Sequence, residues 1–133
     1  MEIHPTLLPI QQGSTVDFIN RDECRDNIMS ESATARFSHW FTGADQLRLQ
    51  EFPKAGVVPL LCKVHPDEWG TILVAPTPFF ALTGPGGEFT LPRIPPGKWR
   101  LRFWHPKLRP AEQEVAGQAG RTAAAVFQDL KGL

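Results

Sequence analysis

Short segments in which apolar and polar residues alternate recur along the chain, separated by proline and glycine. They are Ser14–Asn20 (STVDFIN), Asp26–Ser30 (DNIMS), Gln46–Phe52 (QLRLQEF), Thr71–Ala75 (TILVA), Gly87–Leu91 (GEFTL) and Trp99–Trp104 (WRLRFW). A period of two places every second side chain on one face, as a sheet with one buried side requires, so each segment predicts a β-strand. Val57–Lys63 (VVPLLCK) differs, being almost wholly apolar up to Cys62. It predicts an interior strand or one covered on both faces, with Pro59 weakening one edge.

The spaces between these segments carry turn chemistry. Gly84–Gly87 (GPGG) and Pro95–Gly97 (PPG) combine a residue that presets φ with one that tolerates positive φ. Thirteen prolines and 11 glycines leave no long stretch for a helix. Ser30–Ala44, polar with embedded aromatics, is expected to be a long loop. In Gln118–Leu130, Ala123–Ala125 favour helix while Val126 and Phe127 favour strand, and a last strand is expected. The whole predicts an all-β sandwich.

With 133 residues, 41% of them apolar, one domain over 1–133 can bury a core that needs no staples. Lys plus Arg and Asp plus Glu each number 14, so charge gives no reason to expect nucleic acid or an anionic membrane as partner. No apolar run approaches the roughly 20 residues of a bilayer span, and Met1–Gln11 lacks the pattern of an export signal, so a soluble chain is expected. Two cysteines, Cys24 and Cys62, are compatible with one disulfide, with two free thiols, or with one ligand and one bystander.

The stretch that carries chemistry is Leu60–Gly70, LLCKVHPDEWG. A tight loop after a strand can aim Cys62 and His65 at one point, Pro66 stiffens it, and Glu68 is spaced to reach the same centre. Thiolate and imidazole together suit copper or zinc. A buried free cysteine at the end of an apolar strand also packs without any ligand role, and spacing alone leaves both readings open.

The wider order is Gly13-x-x-Val16-x-Phe18-x-Asn20-x-Asp22, then Asp26-Asn27-Ile28-Met29-Ser30, Phe52-x-Lys54-x-Gly56, Cys62-x-x-His65-Pro66, and Gly70-x-Ile72-x-Val74. From about Leu7 to about Val115 the chain resembles the cupredoxins, most closely the plastocyanin-like, methylamine-utilisation-like proteins of bacterial envelopes. The resemblance implies a cupredoxin-like Greek-key β-sandwich with an appended carboxypeptidase-regulatory-like strand unit at about 76–116. It also implies a periplasmic or envelope setting, a mononuclear copper site, and a redox partner protein.

In that family the stretch matching Asp26-Asn27 begins with histidine, and the loop matching Cys62–Glu68 supplies cysteine, histidine and methionine. Here the implied ligands are Asp26, Cys62, His65 and Glu68, so an imidazole and a thioether have both become carboxylates. Hard oxygen donors favour Cu(II) over Cu(I), which predicts a lowered reduction potential, or storage of Cu(II) or Zn(II) in place of electron shuttling.

A missing imidazole has candidates in His39, His105 and, more remotely, His4, although a lone histidine is more often a packing or surface residue. Cys24 is a candidate second thiolate, a disulfide partner for Cys62, or an exposed bystander. Trp69, beside Glu68, is placed to shield the site or meet a partner, and Trp99 or Trp104 is expected in the core with Phe89 and Phe103. Lys98, Arg100 and Arg102 on one strand face read as a solvated face or as a docking patch for an acidic partner.

Two alternatives stand beside the copper protein. One is a metal-free β-sandwich interaction module, which a Cys24–Cys62 disulfide or a solvent-facing Asp26 would favour. The other is an enzyme with Cys62 as nucleophile, placed last because no nucleophile turn, phosphate loop, dinucleotide fingerprint or HExxH motif is present.

Overall fold

The computed structural model describes residues 3–133. Two compact units make up the chain, the first ending at Phe89 and the second spanning Thr90–Leu133. The described residues form nine strands and no helix.

In the first unit the strands are β1 (Leu7–Gln11), β2 (Thr15–Ile19), β3 (Asp26–Ser32), β4 (Ala35–Phe41), β5 (Leu47–Glu51), β6 (Gly56–Leu61) and β7 (Trp69–Ala75). One sheet has the order β1-β7-β6-β3-β4, and β2 pairs with β5 in the other. Only β1 and β7 run parallel. The inner faces meet in a cluster of Phe18, Ile28, Phe41, Phe52, Val58, Leu60, Ile72 and Val74. Phe52, 0% exposed, carries the largest fully buried side chain and stacks edge-on to Phe37 of β4. Burying a side chain of that size contributes about 1.5–3 kcal/mol, so the cluster is what holds the two sheets together.

The predicted elements are corrected at several places. Ser30–Ala44 is a hairpin and not a loop: Ser32 pairs with Ala35 across the two-residue turn Ala33-Thr34. Ser30 Oγ accepts the Ser32 N–H, and Ser32 Oγ accepts the Thr34 N–H while donating to Val57 O. Serine hydroxyls thus supply the turn bonds that glycine or asparagine would usually signal. Leu7–Gln11 forms an additional strand at a sheet edge, where Pro9 is tolerated because one side of the backbone has no ladder to complete. Gly87–Leu91 is not a strand.

Pro59 sits inside the sheet, opposite Thr71 on β7. The Thr71 N–H points the other way, to Thr6 O at 2.8 Å, so the β7 ladder asks for no donor at this position. On the other side, β3 pairs with β6 only at Met29 and Leu61, away from the proline.

The second unit is a long hairpin of β8 (Gly97–His105) and β9 (Leu108–Gly117). β9 lies outside the expected strands, and Gln118–Leu130, expected as a last strand, is irregular. It lies along the hairpin through Gln113 Nε2, which donates to Val126 O, and through Phe127, 5.8 Å from Phe103. Trp99 and Trp104 are half-buried and outside the core. Arg100 and Arg102 face Glu114 and Glu112 across the ladder, with Arg100 3.6 Å from Glu112, while Lys98 faces Ala116.

Candidate metal centre

One end of the five-stranded sheet gathers the start of β3, the end of β6 and the start of β7, because β6 runs antiparallel to both neighbours. Asp26 opens β3, Cys62 follows β6 directly, and Glu68 precedes β7. Between them the chain closes a turn in which Glu68 N–H donates to His65 O at 3.0 Å. Pro66 holds the second position of that turn, where its fixed φ is already correct, and positions one and four are brought side by side. Loop geometry therefore delivers His65 and Glu68 to the same point.

Asp26, Cys62, His65 and Glu68 each direct one potential ligand atom into a group whose members all lie within 4.8 Å of one another. The Cys62 thiol donates to Asp26 Oδ1 at 2.9 Å. His65 Nδ1 lies 3.5 Å from Asp26 Oδ1, 3.5 Å from Glu68 Oε2 and 3.8 Å from Cys62 Sγ. The group is sheltered: Cys62 is 4% exposed, and the side chains of Glu68 and Asp26 are 9% and 15% exposed, against 33% for His65.

Burial, and after it the hydrogen bond to Asp26, push the Cys62 thiol up. Burial, and after it the charge of Asp26, push the Glu68 carboxyl up, with His65 pulling it back. Both shifts have one physical origin, since negative charge is being concentrated where water is scarce. A cation at the centre would relieve both.

Donors bound at about 2.0–2.3 Å to a tetrahedral ion stand about 3.3–3.8 Å apart. The three distances from His65 Nδ1 already match that spacing, and the Cys62–Asp26 pair would open by about 0.5 Å as its proton leaves. One nitrogen, one sulfur and two oxygens form a set of mixed softness that fits Cu(II) or Zn(II).

Asn27 holds the frame, a role that sequence reasoning missed. Its Nδ2 donates to Ser38 Oγ and His39 O on β4, and its Oδ1 accepts the Lys63 N–H at 3.3 Å. Since Met29 faces Leu61, the same register sets Asn27 against Lys63. The side chain thus carries the β3–β6 connection one step past the last backbone pair. Its position directly after Asp26 is its sequence signal, since three further strands separate it from the cysteine.

The remaining candidates lie elsewhere. His39 stacks on Phe37 at 5.3 Å and reaches Gln50 Oε1 through Nε2 at 3.0 Å, bridging β4 and β5. His105 Nδ1 accepts the Lys107 N–H in the β8–β9 turn. Cys24 is exposed and both cysteines are free. His4 is exposed and belongs to a cavity lining that also includes Asp26 and Glu68. Trp69 is 46% exposed and sits opposite the exposed Leu61.

No protein-family model matches the sequence, nor does the sequence match any curated protein. Solved structures do match by backbone. An oxidized methionine-to-leucine variant of amicyanin gives a TM-score of 0.51 at 23% identity, over 56% of this chain and 73% of that one. The fold is that of the cupredoxins. An oxidized methionine-to-lysine variant of amicyanin gives 0.50 at 23% identity, over 56% and 74%. A purple cupredoxin from Nitrosopumilus maritimus is 27% identical over 53% of this chain and 79% of that one, with a TM-score of 0.48. Within this cupredoxin fold, the four-residue group occupies the end of the sheet where β3, β6 and β7 converge.

Proposed function

We propose that this protein binds one copper ion through Asp26, Cys62, His65 and Glu68 and holds it towards the Cu(II) state. It would serve copper handling or electron transfer at a lowered potential with a redox partner protein. The observation that carries the reading is the convergence of a thiol, an imidazole and two carboxylates within 4.8 Å, on elements distant in sequence. Bound copper would supply one-electron chemistry, and two oxygen donors favour its oxidised state.

The chain's own residues do the rest. Asp26 accepts the hydrogen bond of the Cys62 thiol in the metal-free protein, Asn27 fixes the spacing of β3 and the cysteine loop, and Pro66 shapes the turn that presents His65 and Glu68. Exposed Trp69 and Leu61, next to the loop, and Val64 within it offer apolar surface beside the site for a partner. The cell envelope is the proposed setting, on the resemblance of the sequence. Two observations weigh against the metal-free module: both cysteines are free, and Asp26 is turned inward to Cys62.

The test is a Cu(II) titration of reduced, metal-free protein followed by visible absorption, with Cys62→Ser in parallel and Zn(II) as competitor. A stoichiometric thiolate-to-copper band that is absent in Cys62→Ser supports the reading. Copper uptake without such a band, or uptake unaffected by the substitution, overturns it.

A further inference from the structure

A cavity of about 430 Å³ opens between the two sheets of the first unit, within the roughly 300–1,000 Å³ typical of small-molecule sites. Half-buried Ile3, Leu8 and Val16 give it accessible apolar walls, backed by the core residues Phe18, Ile28 and Ile72. Asp26 and Glu68 line it, whereas Cys62 and His65 do not. The four-residue group is thereby divided, with its oxygen donors on the cavity and its sulfur and imidazole outside it.

This division decides what can enter. Asp22 adds further negative charge to the lining, and the one arginine there, Arg21, is paired with Asp45 at 2.8 Å. An anion meets repulsion from three carboxylates and apolar walls that cannot replace its hydration. A flat, weakly hydrated ring fits the walls, and a ring bearing a basic nitrogen has a reason to approach Asp26 and Glu68.

We propose that this cavity takes a small nitrogen heterocycle of the imidazole class, which reaches the copper ion from the carboxylate side. The inference rests on the copper site proposed above. With copper bound, the ring nitrogen would stand in for one carboxylate oxygen of Asp26 or Glu68, giving two nitrogens, one sulfur and one oxygen where the chain alone offers one nitrogen, one sulfur and two oxygens. The released carboxylate keeps its charge and accepts the ring N–H, so no proton or electron is left unaccounted for. In metal-free protein the protonated ring occupies the same place as a cation beside Asp26 and Glu68.

Copper-loaded protein is titrated with imidazole and, separately, with azide, and the thiolate-to-copper band is followed. The expected result is a saturable shift of the band with imidazole and none with azide. Val16→Phe fills the cavity without touching a donor, and it is expected to keep copper stoichiometry and band while losing the imidazole response; Leu8→Phe serves where Val16→Phe does not fold. A band that ignores imidazole, an equal response to azide, or an undiminished response in the filled variant overturns the proposal.

Metal-free protein titrated with imidazole at pH 6 separates this from failure of the copper site. If no thiolate band ever forms, the copper reading falls, and amide shifts at Val16, Ile28 and Ile72 that vanish in the filled variant still support the cavity site. Their absence overturns it.

Discussion

The Cys62 thiol and the Asp26 carboxylate lie 2.9 Å apart, the sulfur donating. That proton occupies the place a cation would take, bridging the two residues that come from different strands. Uptake of the proposed metal would therefore be an exchange of cations, and the protein's electrostatics oppose the empty, deprotonated state more than either filled one.

Metal affinity should accordingly fall in acid. The proposed ligand is the Cys62 thiolate, and burial with the Asp26 bond keeps the thiol protonated at neutral pH. Binding then releases a proton, and apparent copper affinity drops about tenfold per pH unit below neutrality for each proton released. Calorimetric titrations in buffers of different ionisation enthalpy count the protons directly. A pH-independent affinity would show that Cys62 is not a ligand.

The same crowding makes Glu68 a liability in the metal-free protein. Its folded-state carboxyl is raised, so its contribution to stability is fully present below the ordinary carboxyl range and is lost as pH rises through the raised value. Glu68→Gln removes the buried charge. Metal-free Glu68→Gln is expected to melt above the wild type at pH 7 and level with it near pH 3.5, while binding copper more weakly. Thermal denaturation at the two pH values checks this, and a lower melting point at pH 7 would mean that the His65 contact outweighs burial and Asp26.

Much of this was legible because strand alternation and loop spacing are local. Gln46–Phe52 and Trp99–Trp104 announce themselves by period two, and Cys62, His65 and Glu68 share one short loop around a proline. β4 was hidden although Ala35, Phe37, His39 and Phe41 alternate inward, because its turn is built from Ser32 and Thr34 without glycine or proline. β1 was hidden by Pro9, harmless only at a sheet edge, and edge position is a property of the assembled sheet. β9 was hidden by Pro110 and three charged residues, on a hairpin with little core to bury. The copper-versus-zinc question and the cavity depend on distances that no spacing encodes.

Gly56 opens β6 at a φ of 145°, where an added Cβ would lie 2.6 Å from Thr34 Oγ1 in the β3–β4 turn. Gly56→Ala meets both a backbone penalty and a clash, for a cost of about 1–3 kcal/mol. Thr34→Ala removes the clash and leaves the φ, so Gly56→Ala/Thr34→Ala should recover part of the loss and not all of it. Denaturant unfolding of the single and double variants measures the split. Full recovery would show that the φ costs nothing here.

Asn27 supplies the sharpest separation of frame from ligand. Asn27→Ala removes none of the four candidate donors but strands the His39 carbonyl and the Lys63 N–H, both of which the side chain satisfies. Leaving buried polar groups unpaired costs about 1–3 kcal/mol each at most, so a loss of about 2 kcal/mol in unfolding free energy is expected. Because the lost bond runs between the strand carrying Asp26 and the residue after Cys62, the thiol and carboxylate should drift apart. Copper would then dissociate faster from Asn27→Ala with stoichiometry unchanged at one ion per chain. Asn27→Asp retains an acceptor for Lys63 N–H but loses the donor to β4, and should fall between the two. Stopped-flow transfer of copper to a chelator reads the rates, and equal rates in all three proteins would show that the β3–β6 spacing does not govern the site.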